Sequence, residues 1–349
     1  MPMGREKRFG KSLRVFDKKI KSAAAAFLAA VLLSGWAFAA GELPGELIPG
    51  GFAVGIVLEA EGVIAAGYTD VEGEDGGFSP AERAGILPGD LITHADGRRI
   101  LCGEDLFDAL QSGGRSVELR YIRGGKEGFA VLEPRTGISG NREAGLIFRD
   151  NIAGIGTVTY VDPESGDFGA LGHAVNESGS GKPLESSRGT VSPANISELV
   201  PGKAGEPGML HGEFSGQQAV GTIEANTESG IFGELEQDFI AGLGDTVRTA
   251  AESEISLGGA EILADISGSE ARSYSAEIIR LYRGRDDGRS FMIKVTDEEL
   301  LKSTGGIVQG MSGSPVMQNG RLVGAVTHVL LNDPSRGYCI SIEKMLEAA

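Results

Sequence analysis

The chain has 349 residues, 41% of them hydrophobic, which is enough for two or three domains with apolar cores. Its net charge of −17 argues against nucleic-acid binding, which needs a basic footprint, and against general adhesion to anionic lipid. The 55 glycines have no collagen-like period and long helical periodicity is scarce, so an all-helical fold gives way to many short strands joined by tight turns.

Residues 1–21 carry eight Lys/Arg against two Asp/Glu, so the acidity belongs to the body that follows. They precede an apolar run over 23–33 and a small-residue end, Ala37-Phe38-Ala39, which together are the parts of a secretory signal peptide. The whole apolar stretch, 23–40, is 18 residues, also long enough to be retained as a membrane anchor; cleavage and anchoring both stay open. The basic flank orients the body to the outside of the cytoplasm in either case. Residues 1–40 are therefore read as a basic segment with a signal peptide or anchor, and 41–47 as a Gly/Pro-rich linker.

A unit over 48–134 follows. Residues 52–59 and 62–68 are strand-like, and an acidic, Gly-rich loop spans 69–77. Ser79-Pro80-Ala81-Glu82-Arg83-Ala84-Gly85 spells a one-turn helix closed by glycine, then Pro88-Gly89 turns the chain into a strand at Asp90. Asp96-Gly97 makes a hairpin turn, 104–111 a short amphipathic helix, and 116–123 and 128–132 two more strands. From 135 to 349 the pattern is nine short β-rich segments with glycine at most turns, which suggests a closed or sandwiched antiparallel architecture. Cys102 and Cys339 belong to no Cys-x-x-Cys or metal-ligand spacing, so no disulfide framework, metal or other cofactor is implied.

The stretch that carries chemistry is Gly310-Met311-Ser312-Gly313-Ser314-Pro315. A serine between glycines lets the backbone turn tightly and bring amides beside an exposed hydroxyl, as acyl transfer requires. The hydroxyl needs a base, and there are four histidines. His94 lies in the unit 48–134, His211 in a Pro/Gly loop, and His328 among apolar neighbours on the strand after the serine, where a core role is expected. His173, in Gly169-Ala170-Leu171-Gly172-His173-Ala174-Val175, reads as the end of an apolar strand and is the candidate base. For the carboxylate, Asp297 gives the chain order His–Asp–Ser and lies 15 residues before Ser312, with Asp162, Asp167, Asp245 and Asp265 as alternatives.

Two resemblances add to this. The run Ser79-Pro80-Ala81-Glu82-Arg83-Ala84-Gly85-Ile86-Leu87-Pro88-Gly89-Asp90-Leu91-Ile92, with Asp96-Gly97 after it, resembles a PDZ domain of the bacterial protease-associated kind. Such domains bind an extended peptide as an added strand. The resemblance implies Gly51, Phe52, Ala53 and Val54 as amide loop and docking strand, with Leu106 and Leu110 of the helix lining the groove; both leucines read equally well as core. The exported PDZ unit, Gly169–Val175 and the run from Ile307 to Pro334 together resemble the stage IV sporulation protein B peptidases, chymotrypsin-clan serine endopeptidases of endospore formers. That implies a trypsin-like double β-barrel over 135–349, His173 as general base, Asp297 as orienting acid, Ser312 as nucleophile, and the amides of Gly310 and Ser312 as oxyanion hole.

It further implies self-cleavage near the N-terminus, with the 41–50 linker as a candidate place, followed by cleavage of a membrane-complex regulator of intramembrane proteolysis between forespore and mother cell. The PDZ ligand would be a partner or a segment of the chain itself. A non-catalytic exported PDZ scaffold with a protease-like domain is the alternative, and fluorophosphonate labelling of Ser312 separates the two.

Overall fold

The computed structural model describes residues 45–73, 76–176, 183–184, 188–214, 218–268, 270–285 and 287–349. The expected signal peptide or anchor lies outside them, and among the described residues no helix is long and apolar enough to cross a membrane. The chain is mainly β, a PDZ unit together with a trypsin-like pair of six-stranded barrels.

It begins with β1 (Glu46–Pro49) and the 16-residue β2 (Ala53–Tyr68). The PDZ unit then contributes α1 (Pro80–Arg83), β3 (Leu91–Ala95), β4 (Arg98–Arg99), α2 (Gly103–Ser112), β5 (Val117–Arg123), β6 (Lys126–Leu132), β7 (Arg135–Thr136) and β8 (Arg142–Glu143). A second 16-residue strand, β9 (Leu146–Val161), leads back out. After it come β10 (Asp167–Ala170), β11 (Gly189–Pro193), the ribbon β12 (Asn195–Val200) and β13 (Met209–Glu213), then β14 (Gly221–Thr227), β15 (Gly230–Leu235), α3 (Gln237–Ile240) and β16 (Val247–Arg248). The chain ends with β17 (Gly258–Ala264), β18 (Arg272–Leu281), β19 (Phe291–Val295), α4 (Glu298–Thr304), β20 (Pro315–Gln318), β21 (Arg321–Leu330), β22 (Asp333–Ser341) and α5 (Ile342–Leu346).

β2 and β9 decide the architecture. They pair antiparallel from Ala53 opposite Thr157 to Tyr68 opposite Leu146, with register shifts between Glu59 and Ile64 and between Ala65 and Gly67. The 53–58 end of β2 also pairs with β11, so the order β2-β9-β10-β15-β14-β11 closes on itself as the first barrel. The other ends of both strands belong to the PDZ unit, where β2 pairs with β3. The PDZ unit is thus inserted between the first and second strands of the first barrel.

This corrects the expected division at 134/135, because residues 53–58 belong to the peptidase barrel. Strand 52–59 reads as PDZ by adjacency, but the partner of a strand is chosen by packing. Val54, Ile56 and Leu58 join Val158, Phe168, Val191 and Ile231 in the first-barrel core. The 41–47 linker is corrected as well, because Glu46–Pro49 is a strand held between β9 and β16.

β17-β18-β19-β22-β21-β20 closes as the second barrel around Ile262, Tyr274, Ile278, Phe291, Ile293, Val316 and Val326. Leu47, Tyr160, Phe232, Leu322, Ile340, Ile342 and Met345 form a further buried cluster where the barrels and α5 meet. A third core, with Ile86, Ile92, Leu106, Leu110, Val117 and Leu132, fills the PDZ unit.

Candidate active site

The Gly310–Pro315 loop crosses from α4 to β20 and carries positive φ at Gly310 (99°) and Gly313 (95°), a region that favours glycine. A Cβ on Gly313 would stand 2.1 Å from the Thr157 carbonyl oxygen, so the close approach also requires glycine there. Within the loop the amides of Met311, Gly313 and Ser314 donate to the carbonyls of Val308, Val326 and Met311 at 3.1, 2.8 and 3.0 Å. The amides of Gly310 and Ser312 donate to no acceptor among the described residues. Two amides without an acceptor among the described residues thus stand one on either side of Met311, next to the half-buried Ser312 hydroxyl. Ser312 Oγ donates to the Thr327 carbonyl at 2.9 Å. Ser314 is 0% exposed and its Oγ has no partner among the described residues, so it cannot reach a substrate.

His173 follows β10 in a left-handed bend, not on the apolar strand the sequence suggests: Leu171 and Gly172 have φ of 66° and 67°. A non-glycine residue there costs on the order of 1–3 kcal/mol. Burial of the Leu171 side chain in the first-barrel core and its amide bond to the Thr157 carbonyl (3.2 Å) hold it in place. Asn226 clamps the next turn, accepting from the Val175 amide at 2.9 Å and donating to the carbonyls of Val175 and Leu184 at 2.8 and 2.9 Å. His173 Nδ1 lies 2.9 Å from the Ala174 carbonyl, which can only accept. Nδ1 therefore carries the proton and Nε2 presents its lone pair, as a general base requires. Burial lowers the pKa of His173 below its ordinary value, against the opposing pull of the Ala174 carbonyl.

One strand joins the two loops. The Thr157 amide donates to the Ser312 carbonyl (3.1 Å), its hydroxyl donates to the Gly310 carbonyl (2.8 Å), and its own carbonyl receives Leu171. Two residues on, the Thr159 hydroxyl donates to the Gly313 carbonyl at 2.8 Å.

Asp297 is not joined to His173. It is the N-cap of α4, accepting from the Leu300 amide at 3.0 Å and the Ser275 amide at 3.3 Å. The open amides of a helix's first turn attract a carboxylate, and chain order does not record that competing use. Asp162 and Asp265 likewise serve their own turns, and Asp167 binds Ser165. The residue that sequence reading missed is His328, expected in the core but exposed, with its ring centroid 4.9 Å from that of His173. The irregular register of β21 between Val326 and His328 turns it outward, and no sequence pattern announces such a bulge.

The expected PDZ docking strand is also corrected. The Gly51 amide donates to the Val158 carbonyl at 2.8 Å, Phe52 packs edge-on against Phe239, and Ala53 and Val54 pair with Thr157 and Gly156, all in the first barrel. Leu106 and Leu110 line a cleft of about 200 Å³ between α2 and the start of β9, with Phe107, Gly145, Leu146 and Phe148. Beside the Gly310–Pro315 loop, a cleft of about 340 Å³ is lined by Ile155, Leu210, His211, Phe214, Gln309 and Gly310. An apolar one of about 110 Å³ lies against Ile56, Ile152, Ile155, Leu171 and Val175.

The family model of the SpoIVB peptidase S55 matches residues 140–346, and that of the PDZ domain matches residues 78–123. Among curated proteins, the mitochondrial serine protease HTRA2 of Drosophila persimilis is 36% identical over 56 residues, 16% of this chain and 13% of that protein. That of Drosophila virilis is 34% identical over a stretch of the same length. The chain thus spans about an eighth of the length of these relatives. Among solved structures, the inactive form of the Rv3671c protease aligns with a TM-score of 0.30 at 15% identity, over 55% of this chain and 81% of that one. The active form from M. tuberculosis gives 0.31 at 16%, over 56% and 72%.

Proposed function

The chain belongs to the SpoIVB peptidase S55 family and carries a PDZ domain, and from that premise we propose that it is an exported serine endopeptidase acting on protein substrates. The observation that carries this reading is the pair of free amides, Gly310 and Ser312, beside the Ser312 hydroxyl. They sit on a loop tied through Thr157 to a histidine whose Nε2 lone pair is uncommitted.

In acylation the Ser312 hydroxyl leaves the Thr327 carbonyl and its oxygen bonds to the scissile carbonyl carbon, passing its proton to His173 Nε2. The amides of Gly310 and Ser312 hold the resulting oxyanion. Collapse breaks the C–N bond, and the leaving amine takes the proton from His173. Water, deprotonated by the same Nε2, then attacks the acyl carbon; the C–O bond to Ser312 breaks, and Oγ takes the proton back from Nε2 as the carboxylic product leaves.

The PDZ unit recruits or restrains substrate. Support for this lies in β9, whose first residues wall the cleft beside Leu106 and Leu110 and whose Thr157 holds the nucleophile loop. By family, the enzyme processes its own N-terminus, is anchored or secreted across the cytoplasmic membrane, and cleaves a membrane-associated regulator in a sporulation signalling step. Because residues 46–50 are bound into the first barrel, self-processing is assigned to the chain before Glu46.

Incubation of the full chain beside its Ser312→Ala variant, followed by N-terminal analysis of fragments and fluorophosphonate labelling, tests the reading. Labelling and cleavage that persist in Ser312→Ala, or are absent from both proteins, reject it. The scaffold alternative has one observation in its favour, the bond of Ser312 Oγ to Thr327 and not to His173. An unlabelled wild-type protein that still binds peptide would establish it.

A further inference from the structure

β9 passes beside the Gly310–Pro315 loop with one edge bare. Val158 turns its backbone toward the β2 side, accepting from the Gly51 amide at 2.8 Å and donating to the Phe52 carbonyl at 3.3 Å. Thr157 turns the other way, donating to the Ser312 carbonyl and accepting from the Leu171 amide. Backbone direction alternates along a strand, and the pairing of β9 with β2 runs without a shift from Thr157 to Asn151. Ile155 and Ala153 therefore point their amides and carbonyls to the same side as Thr157. β10 stops pairing at Ala170 opposite Val158, so these groups have no partner among the described residues. An unpaired strand edge is a template for another chain.

Both faces of this stretch are open as well. Gly154 lies opposite Ile56, on the face turned to the first-barrel core. A Cβ on Gly154 would meet nothing within 4 Å, and the recess of about 110 Å³ there is walled by Ile56, Ile152, Leu171 and Val175, none of them polar. On the opposite face, Ile155 borders the cleft of about 340 Å³ with Leu210, His211, Phe214 and Gln309. Successive residues of an added strand alternate between the faces, so one side chain enters the apolar recess and its neighbour the larger cleft. A charged side chain in the recess would be buried without a partner.

The direction of the added strand follows from the sheet. β9 pairs antiparallel with β2 and with β10, and it runs from Asn151 toward Thr157 at the Ser312 loop. A strand added in the same sense leads away from Ser312 as it goes from N to C, which makes it the part of a substrate that follows the scissile bond. We propose that the open edge of β9 at Ala153–Ile155 is the subsite for that segment, and that it selects an aliphatic residue for the recess at Gly154. The proposal rests on the reading of Ser312 as nucleophile, and it concerns which peptide bonds that serine reaches.

Gly154→Val fills the recess from within. Gly154 has no positive φ to oppose the substitution, and a β-branched residue suits a strand. A library of C-terminally amidated decapeptides, which offer the PDZ unit no carboxylate, is incubated with the full chain and with its Gly154→Val variant, and the cut sites are read by mass spectrometry. The wild type should favour Val, Ile or Leu over Gly or a charged residue at one position after the scissile bond. Gly154→Val should erase that preference and cut the aliphatic peptides about tenfold more slowly, the size of one apolar contact in selectivity. Fluorophosphonate labelling of Ser312, in which no leaving segment takes part, should slow far less. A profile that Gly154→Val leaves unchanged, a lost preference that lies before the scissile bond, or labelling slowed as far as cleavage overturns the proposal. Binding reads the same edge without turnover. In Ser312→Ala protein saturated with the library, the amides of Ala153 and Ile155 should exchange with solvent about tenfold more slowly than in the free protein, and this protection should shrink when Gly154→Val is added. Unchanged exchange at both amides also overturns it. If the wild type neither labels nor cuts, the nucleophile reading fails, and the exchange of these two amides decides the edge on its own.

Discussion

The Thr157 hydroxyl donates to the Gly310 carbonyl at 2.8 Å across 153 residues of sequence, from the second strand of the first barrel to the nucleophile loop of the second. It fixes the Gly310–Met311 peptide, which lies between the two free amides, so the loop that carries them is held from the opposite barrel. Thr157→Val removes the hydroxyl at nearly constant volume and leaves the half-buried Gly310 carbonyl short of a partner. We expect a loss of about 1–3 kcal/mol in stability and, with the loop freed, labelling of Ser312 slower by about 10- to 100-fold. Thr157→Ser should retain both. Denaturant titration and labelling kinetics on the three proteins decide it.

Replacing Ser312 or His173 by alanine should lower turnover by about 10⁴- to 10⁶-fold. Asp297 should behave as a helix cap. Asp297→Ala should cost about 0.5–2 kcal/mol of stability, and Asp297→Asn, an equally good cap, little of either stability or turnover. A loss of ~10⁴-fold in Asp297→Asn, the size expected of a triad acid, would return it to that role. Ser314→Ala removes a fully buried hydroxyl that has no partner among the described residues, and should leave both stability and labelling close to wild type.

The pH dependence follows from the lowered pKa of His173. A general base works when neutral, so labelling should be constant above the ordinary histidine range and fall with acid through a value below about 6.5. Stability has a related sign. The unfolded histidine takes its proton near ~6.5 and the folded one only at lower pH. The neutral buried ring therefore contributes fully above that pH, and its contribution is lost as pH falls through the folded value. Denaturation midpoints at pH 7.5 and 5.5 should differ less in His173→Gln than in wild type; an equal difference would remove His173 as the source.

The insertion of the PDZ unit makes a fragment prediction. A chain of 135–349 lacks β2, leaving β9 and β11 as open edges of a five-stranded first barrel. It should fail to unfold cooperatively and should aggregate, whereas 45–349 should fold. A soluble 135–349 fragment with a sharp denaturant transition would contradict the shared-strand architecture.

Local chemistry made much of this protein legible in its sequence. Gly310, Ser312 and Gly313 announce a tight turn around a hydroxyl, because only glycine enters positive φ freely. The turn, cap and strand signals over 79–132 spell the PDZ elements, and the short β-rich segments with glycine at their turns spell a β protein in the remainder. These are properties of residues near each other in the chain. Which strand closes the first barrel, what Asp297 does with its carboxylate, and which imidazole stands next to His173 are contacts between distant segments. Residues 52–59 alternate equally well for either sheet, an aspartate before a helix serves equally well as cap or acid, and His328 has a β-strand environment on either side of it. Only the tertiary structure chose among them, by burying Val54, Ile56 and Leu58 in the first barrel, by offering Asp297 the amides of Leu300 and Ser275, and by setting the ring of His328 beside that of His173 at the irregular register of β21. The Ser312 loop could be found by reading; what supports it had to be folded to be seen.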